Sequence, residues 1–160
     1  MTYRTIVVGT DGSETATRAV REAGLLAGVE GARLVIATAF TPHHADALAQ
    51  LAGTPSTAVA SRQATVPAEL QWTVTDRAQA EATAAAGRRE ARAAGAEEVT
   101  VTSDSGAPAA VLLETVELHD ADLVVVGSVG LRGPRRLLGS VAQAVLHHAP
   151  CDVLVVQTTD

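Results

Sequence analysis

The sequence predicts an α/β fold, a doubly wound five-stranded parallel sheet with helices on both faces. Short, nearly continuous aliphatic runs recur along the chain, the signature of strands buried on both sides. They alternate with segments of helical period, and right-handed helical crossovers between parallel strands follow from that alternation. The composition agrees: 47% of residues are hydrophobic but only 2% aromatic, so the core must be built from Val, Leu and Ala. At 160 residues the chain has the length of one domain, taken as residues 1–160.

The first strand is read at residues 5–8 and the second at 34–39, with a helix over 14–27 between them that Ser13 caps. Residues 41–72 carry Ala, Thr, Ser and Pro without a sustained period and are expected to form a mobile insertion or lid. An Ala- and Arg-rich helix over 78–94 ends at Gly95. The weaker run 98–102, with Val99 and Val101 among polar neighbours, reads as a strand at a sheet edge. A helix over 108–118 has Pro108 in its first turn, where the missing N–H costs nothing. The strand at 123–126, a helix at 140–148 stopped before Pro150, and a last strand at 153–156 complete the order.

A formal charge of −6 excludes a broadly basic nucleic-acid binder and confines positive charge to local groups such as Arg132, Arg135 and Arg136. With one cysteine, Cys151, no internal disulfide can form. The opening MTYRTIVV lacks a charged leader followed by a long apolar run, and no segment approaches the ~20 apolar residues of a membrane span. The expectation is a cytoplasmic protein with neither membrane nor nucleic acid as partner.

Two loops carry the chemistry. VVVGSVGLRGPRRLLGS, residues 124–140, opens from a strand into glycines and arginines and closes on Gly139 and Ser140 at a helix start. Glycines let backbone approach an anion, and the free N–H groups of the helix N-terminus meet it with the positive end of the dipole. The other loop, Gly9 to Ser13, places Thr10, Asp11 and Ser13 after the first strand. Ligands of open α/β sheets bind at that edge, where strand order reverses, and there Asp11 can accept from a ribose or hold a metal that bridges phosphates. Asp11-Gly12 also suits an ordinary turn, with Ser13 as a helix cap. The chain contains no lysine, which excludes a Walker loop, and the glycine spacing is not that of a GxGxxG dinucleotide fingerprint.

Four segments make the chain resemble the universal stress proteins over nearly its full length. They are VVGTDGS at 7–13, the small strand end at 37–39, the Gly106-Ala107-Pro108 turn, and VVVGSVG at 124–130 with LLGSVAQAVLHHAPCDVLVV at 137–156. Nucleotide-binding members show G-x2-G-x9-G-(S/T), matched here by Gly127, Gly130, Gly139 and Ser140. The resemblance implies the strand order 3-2-1-4-5, an adenosine side formed by Thr10, Asp11 and Ala39, and a phosphate side formed by Gly127, Gly130, Gly139, Ser140 and Val141. Gly12, Ser128 and Val129, which lie between these positions, are counted with the site, and Arg132, Arg135 and Arg136 either contact phosphate, Arg132 foremost, or form a solvated face. The resemblance also implies a homodimer paired along the last strand, Asp152 to Gln157.

Only eight residues, 131–138, stand between Gly130 and Gly139, one fewer than the family pattern. At least one amide must point elsewhere, and Gly133-Pro134 marks a turn that accommodates the change. A cyclic phosphate carries one negative charge and needs fewer donors than a triphosphate. Cyclic AMP and AMP therefore stand beside ATP, the last with Mg2+, as ligands. Three functions remain open on the sequence: an adenine-nucleotide-binding protein in stress response or signalling, a slow ATPase using Asp11 and a divalent metal, and a dimeric interaction protein without nucleotide. The first is favoured, because no general base or cationic stabiliser has a recognisable place.

Other residues receive plainer readings. His147 and His148 suit the negative end of the last helix dipole. Cys151 is a small core residue without an activating partner. His43, His44 and Asp46 lack the second ligand cluster that a metal centre needs, and no catalytic or metal-ligating residue is assigned.

Overall fold

The computed structural model describes residues 2–41, 77–128 and 138–158. Its strands are β1 (Thr5–Gly9), β2 (Arg33–Phe40), β3 (Val99–Ser105), β4 (Leu123–Gly127) and β5 (Asp152–Val156). Its helices are α1 (Glu14–Glu30), α2 (Arg77–Ala94), α3 (Pro108–Leu118) and α4 (Ser140–His148). The strands form one parallel sheet in the order β3-β2-β1-β4-β5. The proposed insertion, apart from Thr41, falls outside the described residues.

Side-chain alternation along each strand splits the core into two layers. Ile6, Val8, Leu34, Ile36 and Val125 pack beneath α1 and α2. Val7, Val35, Ala37, Val124 and Val126 pack beneath Leu112 and Val116 of α3 and Ala142 and Val145 of α4. The three central strands are buried on both faces, which is why they read as unbroken aliphatic runs.

Small residues take the place of aromatics by drawing the helices close. α2 buries Ala80, Ala84, Gly87 and Ala91 along one stripe. A Cβ on Gly24 would lie 2.7 Å from the Ala91 carbonyl oxygen, and one on Gly28 2.5 Å from that of Gly95. α1 and α2 therefore meet backbone to backbone. This explains why α1 runs past residue 27, its expected end: Gly28 is an interior packing glycine, and the left-handed cap is Gly31 at φ 66°. Strand β3 likewise outlasts its apolar pattern, because its ladder with β2 continues through Ser103, Asp104 and Ser105.

Opposite the C-terminal edge, Asp122 ties the β4 entrance to β1. Its carboxylate accepts the N–H groups of Arg4 at 3.0 Å and Thr5 at 3.0 Å. Burial works to raise its pKa, but these backbone bonds outweigh that penalty and hold it below the ordinary value. Among the described residues no helix is long and apolar enough to cross a membrane.

Candidate functional site

The chain runs outward from β1 through β2 to β3, then returns to lay β4 on the other side of β1. The crevice of a doubly wound sheet opens at this reversal, beyond the strands' C-terminal ends. A cavity of about 210 Å³ lies there. Its inner wall is apolar, with Ala37 and Ala39 from β2, Val126 from β4, and Val111 and Leu112 from α3. The small side chains of β2 leave a slot, and Gly9 keeps it open beside Leu112, whose Cδ2 would lie 3.3 Å from a Cβ at that position.

The rim is polar. Thr10 extends the β1 ladder by donating its N–H to the Ala37 carbonyl at 2.9 Å, while its Oγ1 accepts from the Gly12 amide at 3.2 Å. Gly12 has φ +80°, the left-handed conformation that this turn requires. Asp11 Oδ1 accepts the Ser13 N–H at 2.9 Å, and its Oδ2 makes no hydrogen bond with the described residues. Ser13 Oγ in turn accepts from Ala16 at 3.2 Å and caps α1. The turn and cap reading of this loop and the ligand reading are therefore compatible: one carboxylate oxygen builds the turn and the other has no partner among the described residues.

The N-terminus of α4 is built differently. Its N-cap is Gly139, which has no side chain to satisfy the first-turn amides. The Gly139 N–H is occupied by the Ser128 carbonyl at 3.1 Å, and the Gln143 side chain holds the Leu138 carbonyl at 3.0 Å. Gly139, Ser140, Val141 and Ala142 all line the cavity. Uncapped amides and the positive end of a helix dipole thus face an apolar slot, an arrangement suited to a ligand with one flat apolar part and one anionic part.

Of the residues expected from the sequence, Thr10, Asp11, Ala39, Gly127, Gly139, Ser140 and Val141 line this cavity together. Gly12 serves the turn next to it, and Ser128 lies one residue beyond the wall, bonded to Val156 by its N–H at 2.8 Å. Val129, Gly130 and Arg132, with Arg135 and Arg136, fall outside the described residues. The sequence reading missed Pro108, Val111 and Leu112 as lining residues. Their signal was positional, since every helix following a parallel strand begins at the same sheet edge and α3 begins at Pro108. Among the described residues no three His, Cys, Asp or Glu side chains come together as a metal site.

Fold and site define a doubly wound α/β protein with an anion-suited crevice at its switch point. Residues 2–157 match the universal stress protein family, and the chain belongs to it. It is 39% identical over 158 residues to universal stress protein Rv1636 of Mycobacterium tuberculosis strain H37Rv, covering 98% of each chain. A crystal structure of a universal stress protein in complex with cAMP is 34% identical, with a TM-score of 0.70 over 99% of this chain and 100% of that one. Universal stress protein UspA from Lactobacillus plantarum shares the fold at 24% identity and a TM-score of 0.70, over 98% of this chain and 99% of its own.

Proposed function

We propose that the switch-point cavity binds an adenine nucleotide, and that its occupancy is the protein's signal in a cytoplasmic stress response. The observation that carries this reading is the uncapped start of α4 at Gly139, set at the rim of an apolar slot. The base enters between Ala39 and Leu112, Asp11 accepts from the ribose, and the phosphate meets the amides of Ser140 and Val141. The relative crystallised with cAMP supports the same ligand class.

Cyclic AMP and AMP are favoured over ATP. The loop from Gly130 to Gly139 is one residue short of the family pattern, and this weighs most on the donors that a triphosphate needs. A Mg2+ arriving with ATP would find one carboxylate in the cavity lining, Asp11, and would take its other ligands from phosphate and water. Extraction of the purified protein with mass spectrometry of the released nucleotide, followed by calorimetry with cyclic AMP, AMP and ATP, tests the reading. An empty pocket in both measurements rejects it.

The second part of the proposal is a homodimer along β5. This strand closes the sheet at one edge and leaves Leu154 38% exposed, so its outer backbone groups can pair with those of a second copy across a two-fold axis. Nucleotide changes the dimer or its partner surface only to the extent that it binds the two states unequally. A monomer mass independent of concentration in light scattering would reject the dimer.

A further inference from the structure

We infer that Thr158, which follows β5 and does not line the cavity, is a positioning residue for the phosphate end of the ligand; this rests on the nucleotide reading above. Ser128 is a node of four contacts. Its N–H donates to Val156, its carbonyl accepts from Gly139 at 3.1 Å, its Oγ accepts the Thr158 N–H at 3.1 Å, and that Oγ lies 3.5 Å from Thr158 Oγ1. The carbonyl contact joins the residue that opens the glycine loop to the residue that closes it. Thr158 holds the node from behind.

Thr158 is itself firmly seated. It is 3% exposed, its carbonyl accepts from Arg18 Nη1 of α1 at 3.4 Å, and its Cγ2 would lie 3.3 Å from a Cβ on Gly127. A glycine at 127 gives the methyl group room to sit against the cavity wall. The contacts form a continuous chain from Arg18 through Thr158 and Ser128 to Gly139. Loss of the Thr158 donor releases the Ser128 hydroxyl, and the Ser128 carbonyl then no longer holds Gly139 in one place. The amides of Ser140 and Val141 follow Gly139, whereas Ala37, Ala39 and Leu112 do not. The phosphate end of the site depends on Thr158; the adenosine end is independent of it.

That asymmetry separates positioning from general stability. Thr158→Pro removes the N–H donor, Ser128→Ala removes its acceptor, and Thr158→Ser keeps both donor and hydroxyl. Calorimetry with adenosine, AMP and cyclic AMP should show both disruptive variants losing about five- to tenfold in affinity for the two nucleotides, the worth of a lost hydrogen bond. Adenosine affinity should stay within about twofold, and Thr158→Ser should match the wild type. Because both changes cut the same Ser128–Thr158 link, the double variant should be no weaker than the single ones. Equal losses for adenosine and AMP, unchanged AMP binding, or additive losses in the double variant would overturn the role. Should Thr158→Pro fail to fold, Ser128→Ala carries the same adenosine-against-AMP comparison. Wild-type protein that binds none of the three ligands removes the nucleotide reading and this role together, whereas wild-type binding with unaltered selectivity in the variants removes the role alone.

Discussion

The amide of Gly139 donates to the carbonyl of Ser128 at 3.1 Å, so the first and last parts of the glycine loop are held together independently of any ligand. Gly139 spends its own N–H on that bond and offers no side chain to α4, whose following amides remain for an anion.

Gly139→Asp should therefore separate stability from binding. Its backbone at φ −60°, ψ 155° suits an N-cap aspartate, which typically stabilises a helix by about 0.5–2 kcal/mol. The same carboxylate competes with phosphate for the first-turn amides and repels it. Thermal melting should shift upward while AMP affinity falls by at least about tenfold in calorimetry.

Ala39→Leu tests the base slot. Ala39 is half-buried at the end of β2 and lines the cavity, so a longer side chain occupies ligand space without entering the packed core. Adenosine and AMP should both lose more than about tenfold in affinity, with melting little changed. Thr158→Pro, by contrast, is expected to weaken AMP and spare adenosine.

Gly28→Ala should destabilise the fold despite alanine's better helix propensity. The propensity gain is about 1 kcal/mol. The new Cβ would lie 2.5 Å from the Gly95 carbonyl oxygen, a backbone atom that cannot turn aside. Pushing α1 from α2 costs about 1–3 kcal/mol on the usual scale of overpacking, so chemical denaturation should show a net loss.

Asp122 supplies a pH dependence. Its pKa is lowered in the folded protein from the ordinary aspartate value of 3.8. Its stabilisation is therefore complete above that value and is lost as pH falls through the lower folded value, where the carboxylate takes a proton. Asp122→Asn should melt below the wild type near neutral pH, and the gap should narrow as both are acidified. A gap independent of pH would contradict the assignment.

Much of the architecture was legible because its signals are local. Ser13, Pro108 and Ser140 stand at the helix starts, and the aliphatic runs at β1 and β4 mark strands buried on both sides. Element ends were less legible. Gly28 and Gly31 look alike in sequence, and contact with Gly95 decides which one ends α1. The polar tail of β3 is a strand only because β2 is its neighbour.

The lining of the candidate site was legible where glycine, Asp and Thr depart from a packing pattern. Val111 and Leu112 escaped notice because an apolar pair on a helix reads as core, and Leu112 is in fact 2% exposed while also lining the cavity. Thr158 carries no local signal, since its role arises from a contact with a residue thirty positions earlier.

The central claim is that the amides of Ser140 and Val141, set in place by Gly139, hold the phosphate of an adenine nucleotide whose base occupies the slot beside Ala39. Calorimetric titration of the nucleotide-free protein with cyclic AMP, AMP, ATP and adenosine tests it most directly. The account predicts saturable one-to-one binding, with cyclic AMP or AMP tighter than both ATP and adenosine. Absence of binding by all four, or adenosine binding as tightly as AMP, would contradict it.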